Sequence, residues 1–156
     1  YFRIGKASAS VPNLDGRFKI GALDRLRLGE DVAIVALGSM AGEAAEAATM
    51  LALQGISAGV AVLASVQPAP LDDLVELLSN VPHVATVEAH YRTGGLGSLV
   101  AEVIAEHGLR CRLVRHAVET MPRGAAGALP FLNDLHGLSA RALTESIATE
   151  LSRAYG

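Results

Sequence analysis

The 156-residue chain contains no tryptophan, and aromatic residues make up only 4% of it, although 51% of its residues are hydrophobic. Alanine, valine and leucine must therefore fill the core, which suits helices packed closely on a parallel sheet. The single cysteine, Cys111, excludes an internal disulfide and sits in an apolar-periodic stretch, where a free thiol behaves as a small buried hydrophobe. No apolar run approaches the ~20 residues needed to cross a bilayer, and no secretory leader pattern opens the chain. With a formal charge of −3 and acids and bases intermixed, nothing resembles a nucleic-acid surface. No histidine shows zinc-type spacing with cysteine or carboxylates, and no serine sits in a G-x-S-x-G elbow. A soluble cytoplasmic protein with no bound metal is the expectation.

At this length one domain with a sizeable core is expected. Val32 to Leu37 is a continuous apolar run ended by Gly38-Ser39 and reads as a strand buried on both faces. Ala41 to Gln54 carries apolar residues at helical spacing and stops at Gly55. Ile56 to Ser65, His83 to His90 and Cys111 to Val118 read as further core strands. The segment from Pro70 to Asn80, with Asp72 and Asp73 in its first turn, reads as a helix. Leu96, Leu99, Val100, Val103 and Ile104 form one stripe of the next helix, and Leu143, Ile147 and Leu151 one stripe of the last. Leu23 to Leu28 alternates weakly and suits an edge strand, Glu119 to Pro130 reads as a loop, and a short helical turn follows at Phe131 to His136. The order predicts a three-layer α/β/α domain with a mostly parallel five-stranded sheet and one antiparallel edge strand.

The densest signal runs from Val87 to Glu102: V-E-A-H-Y-R-T-G-G-L-G-S-L-V-A-E. A strand ends in Glu88 and His90, a glycine turn follows, and a helix starts at once. Such a loop lies at the carboxyl edge of a parallel sheet, where these sheets place ligands and partners. Gly94, Gly95 and Gly97 admit two readings. Successive N–H groups at a helix start could cradle an anion, with Arg92 beside it, or the glycines could serve close helix–strand packing. The turn has neither dinucleotide-fingerprint spacing nor the lysine of a P-loop. Glu88 and His90, two apart on an extended strand, face the same side; they could act as an acid–base pair or anchor a loop or interface. Arg110, Arg112, Arg115 and Arg123 cluster around the last strand, as an anion contact or as an exposed flank or subunit contact.

The Val87–Glu102 run resembles the signature of the C-terminal domain of transketolase-like enzymes, V-E-E-H followed by G-G-L-G-S-x-V-A-E. Further landmarks fall in that family's order: Asp31 to Ser39 resembles its first core strand, Leu53 to Ala58 its passage from helix to second strand, and Leu135 to Ser139 the Y-G-L-T start of its final helix. Tyr1 to Lys6 looks like the last strand of a preceding pyrimidine-binding domain. The expected division is therefore 1–17 as the tail and linker of that domain and 18–156 as the C-terminal domain. Three departures stand out: Ala89 replaces the second acid of V-E-E-H, Gln67 replaces the lysine of K-P-L-D, and 117–128 lacks the family's Asp and Phe.

The resemblance implies a parent enzyme that moves two-carbon ketol units with thiamine diphosphate and Mg2+. The equivalent domain also occurs in 1-deoxyxylulose-5-phosphate synthases and 2-oxo-acid dehydrogenase β subunits. It implies that the cofactor is held by other domains, because the family's G-D-G…N signature is absent here. No catalytic, cofactor-binding or metal residue is therefore carried onto this chain. The implied partners are the other domains or subunit of the enzyme, with homodimer contacts. Glu88, His90, Arg92, Gly94, Gly95 and Gly97 are the candidate interface or anion-contact residues. A free-standing anion- or nucleotide-binding module is the competing expectation.

Overall fold

The computed structural model describes residues 19–120 and 126–155. The Tyr1 to Lys6 strand, the linker after it and part of the 119–130 loop lie outside the described residues. The elements run β1 (Leu23–Arg27), β2 (Val32–Leu37), a 3-10 turn (Gly38–Met40), α1 (Ala41–Leu53), β3 (Ala58–Leu63), α2 (Leu71–Ser79), β4 (His83–Tyr91), α3 (Leu96–Glu106), β5 (Arg112–Val118), α4 (Leu129–Leu135) and α5 (Ala140–Tyr155). They form a five-stranded sheet ordered β1-β3-β2-β4-β5, in which β1 alone is antiparallel to its neighbour. This is the expected architecture.

The apolar runs of β2 and β3 occupy the centre because they have no face fit for water. On one side of the sheet, Val32, Ile34, Val60, Ala85 and Val87 meet α1 and α5. Buried Ala41, Ala44, Ala47 and Ala48 let α1 approach the sheet closely, and Leu143, Ile147 and Leu151 of α5 close that layer. On the other side, Ala33, Val35 and Val84 meet Leu74 and Leu78 of α2 and Leu96, Val100 and Val103 of α3. Each fully buried leucine contributes about 2 kcal/mol. Asp73, in the first turn of α2, also accepts the Leu23 N–H at 3.2 Å and so ties β1 to the α2 layer.

Two details differ from the sequence reading. The second core strand is shorter than Ile56 to Ser65, since Ile56 and Ser57 are spent closing the turn after α1 and docking Asp31. The stretch read as loop up to Pro130 already turns helical at Leu129, because Pro130 fits a helix's first turn.

Candidate functional site

The β4–β5 register sets up the site. Val87 lies opposite His116, but the next pairing is Tyr91 with Val118, so four steps along β4 match two along β5. This bulge falls on Glu88, Ala89 and His90, and such bulges re-aim side chains at a sheet edge. Glu88 is fully buried. Its carboxylate accepts the Leu96 N–H through Oε2 and the Gly97 N–H through Oε1, both at 2.8 Å. These amides belong to the first turn of α3, whose N-terminus has no cap from its own N-cap residue, Gly95. A carboxylate from the neighbouring strand thus satisfies two donors and meets the positive end of the helix dipole.

The glycines make this possible by what they lack. A Cβ on Gly95 would land in the Glu88 carboxylate, and one on Gly97 would land on the Arg115 guanidinium, with Thr86 Oγ1 only 3.0 Å away. Gly94 differs. It sits at φ +79° with open space around it, so its need is for the left-handed turn. Its N–H goes to Ser98 Oγ at 2.9 Å, while the Gly95 carbonyl accepts from Ser98 and Leu99. Arg115 completes the seam by reaching the Arg92 carbonyl and Ser98 Oγ.

The candidates therefore separate. Glu88 and Gly97 are buried, and Glu88 spends its carboxylate on α3. Within this chain both lie beneath the surface of the turn. An acid–base pair with His90 is also set aside, because the imidazole stands exposed while the carboxylate faces inward. His90, Arg92 and Gly94 are exposed and Gly95 partly so, with Tyr91 52% exposed beside them. Arg92 is paired with Glu119, and its N–H bonds to the Val118 carbonyl.

Of the remaining basic cluster, Arg123 lies outside the described residues, and the side chains of Arg112 and Arg115 diverge. Arg112 pairs with Glu150 of α5 at 3.3 Å, whereas Arg115 turns to the α3 side. A cleft of about 670 Å³ runs along the outer edge of β5, bounded by Arg92, Arg112, His136, Ser146 and Glu150. His116 lines it, nearly buried, with Nε2 unpartnered. Burial, followed by the Arg92 charge, pushes the His116 pKa down to about 4 against a weaker opposing pull from Glu150. Cys111 is buried just before β5, and burial raises its thiol pKa, as suits an inert packing residue. Glu43 carries a role not anticipated from sequence: from α1 it accepts the Ala140 N–H at 2.7 Å and Asn133 Nδ2 at 3.0 Å, capping α5. No local pattern announces it, since its partner lies 97 residues away.

Among the described residues no cluster of three acidic, histidine or cysteine side chains could hold a metal, and three amides of the glycine turn, those of Gly94, Leu96 and Gly97, are already bonded. No described helix is long and apolar enough to cross a membrane.

Comparison with known proteins is consistent with this geometry. A family model described as transketolase, C-terminal domain, matches residues 21–143. The chain is 36% identical over 146 residues to one of the subunits of the apulose-4-phosphate transketolase of Actinobacillus succinogenes, covering 93% of this chain and 47% of that protein. It is 34% identical over 137 residues to the 1-deoxy-D-xylulose-5-phosphate synthase of Heliobacterium modesticaldum, covering 86% of this chain and 21% of that one. A solved structure described as a split gene transketolase, inactive beta4 tetramer, superposes with a TM-score of 0.81 at 36% identity, over 95% of this chain and 47% of the other. The chain spans about half the length, or less, of the relatives it matches.

Proposed function

Because the chain belongs to the transketolase C-terminal-domain family, we propose that it serves as the structural, non-cofactor-binding domain of a thiamine-diphosphate-dependent enzyme that transfers two-carbon ketol units. Its own task is to dock against the other domains or subunit of that enzyme and to support dimer contacts. The observation that carries this reading is the Glu88 seal. Three amides of the glycine turn, those of Gly94, Leu96 and Gly97, are engaged by Ser98 and Glu88, which supports a role in ordering α3 over one in holding a phosphate. The exposed rim of that turn, His90, Tyr91, Arg92, Gly94 and Gly95, is left to face a neighbouring domain. The likeness to a transketolase built from separate subunits favours a parent enzyme divided between polypeptides.

Titration calorimetry of the 156-residue chain with thiamine diphosphate and Mg2+ is expected to show no binding, and the chain alone no ketol transfer. Retention of the coenzyme through gel filtration would overturn the proposal. A thermal-shift screen against sugar phosphates and nucleotides tests the anion-binding module. A ligand at a hundredfold excess over its dissociation constant would add about 2.7 kcal/mol of stability, and no such shift is expected.

A further inference from the structure

We propose that the free edge of β5 receives an extended, acidic segment of another polypeptide, added to the sheet as a sixth strand. The backbone directions carry the argument. The Arg112 N–H bonds inward to the Pro82 carbonyl, and the Val118 carbonyl accepts inward from Arg92. A strand's backbone groups alternate sides from one residue to the next. Val114 and His116 therefore also address β4, while Leu113, Arg115 and Ala117 turn their N–H and C=O away from it; of these Leu113 and Arg115 are partly exposed, whereas Ala117 is buried. Among the described residues β5 is terminal in the strand order and no strand meets these groups, and the cleft lies along them. An unpaired row of this kind is a template for strand addition.

The surroundings suit that occupant. On the α5 side the cleft is walled by Ala142, Ser146 and Glu150, a four-residue spacing whose first two side chains are small enough to leave room for another strand's side chains. His116 Nε2, buried and unpartnered, lines the same cleft and offers a polar group to what enters. Charge then selects the partner. From His107 to Val118 the chain has Arg110, Arg112 and Arg115 and no acidic residue, and although Glu119 and Glu150 in the cleft wall pair with Arg92 and Arg112, Arg115 leaves the lining with an excess of positive charge. Pairing β5 with β5 of a second copy sets cations against cations, which destabilises a ladder, whereas a strand bearing carboxylates is complementary. The proposal does not depend on the ketol-transfer reading, because it rests on the backbone edge and its charge.

Amide hydrogen exchange of the full chain, read by NMR, tests it with two capped hexapeptides, one alternating Glu and Val and one alternating Lys and Val. The Glu peptide is expected to slow exchange at Leu113 and Arg115 at least about threefold, and the Lys peptide to leave it unchanged. Arg112→Glu, whose partner Glu150 is also held by Arg153, is expected to reverse that preference, with an unchanged far-UV spectrum showing that the fold persists. Equal protection by both peptides overturns the acidic assignment. Protection of these amides that grows with protein concentration alone makes the occupant a second copy and overturns the proposal, as does protection by neither peptide.

Discussion

The β4–α3 turn and the β5 edge lie side by side, stitched by Arg115 and by the Arg92–Val118 bond, yet they use their backbone groups in opposite ways. In the turn, a buried carboxylate and a serine hydroxyl engage the amides at the start of α3. Along the edge, amides of an otherwise ordinary strand point into an open cleft. The turn is glycine-rich and conspicuous; the edge carries no motif. Conspicuous residue types thus mark where the chain seals itself, and the quieter strand marks where it can still bind.

The contrast can be broken most forcefully at Glu88. Glu88→Ala leaves the Leu96 and Gly97 amides buried without acceptors and is expected to cost about 3–4 kcal/mol in urea denaturation. Gly95→Ala drives a methyl into the same carboxylate and is expected to cost about 2–3 kcal/mol. The two effects should not add, because removing the carboxylate frees the space; additive losses would show that the two groups do not share it. His116 comes next. Its folded pKa of about 4 lies below the unfolded value near 6.5, so the unfolded state binds more protons between these limits. Its contribution is complete above pH 6.5 and is lost as pH falls toward 4, by about 2–3 kcal/mol. His116→Phe is expected to flatten that part of the pH–stability curve, and an unchanged slope would assign the acid sensitivity to other groups.

Smaller effects sharpen the boundary between sealed and open. Gly94→Ala meets no neighbour but keeps a positive φ, so about 1 kcal/mol of backbone strain is expected from thermal denaturation. Arg112→Ala, which removes one exposed ion pair with Glu150, should change stability by less than about 0.5 kcal/mol. A loss well above that at Arg112 would mean the edge is part of the sealed structure after all.

Most elements were legible because their signals are local. The buried run of β2, the four-residue leucine spacing of α5 and the Gly55 stop after α1 each act within a few residues. The site was only half legible. Glu88 and the glycines stand out as a group, yet their spacing alone leaves an anion cradle and a packing device open. Alternation along β4 puts Glu88 on the face of Val84 and Thr86, but that α3 packs its first turn against this face is decided only when the two elements dock. Glu43 was invisible for the same reason: a cap supplied across 97 residues leaves no spacing to read.

From sequence alone come the layered α/β/α plan, the βα order that makes the sheet parallel, the kinship carried by the glycine run, and the cationic character of β5. These follow from periodicity, composition and residue types, which act over short stretches of chain. The folded arrangement alone decided that Glu88 belongs to α3, that His116 is buried and neutral, and that the backbone groups of Leu113 and Arg115 turn away from β4. Those outcomes depend on which strands become neighbours and in what register, and hydrogen-bond partners and desolvation exist only once distant segments have met.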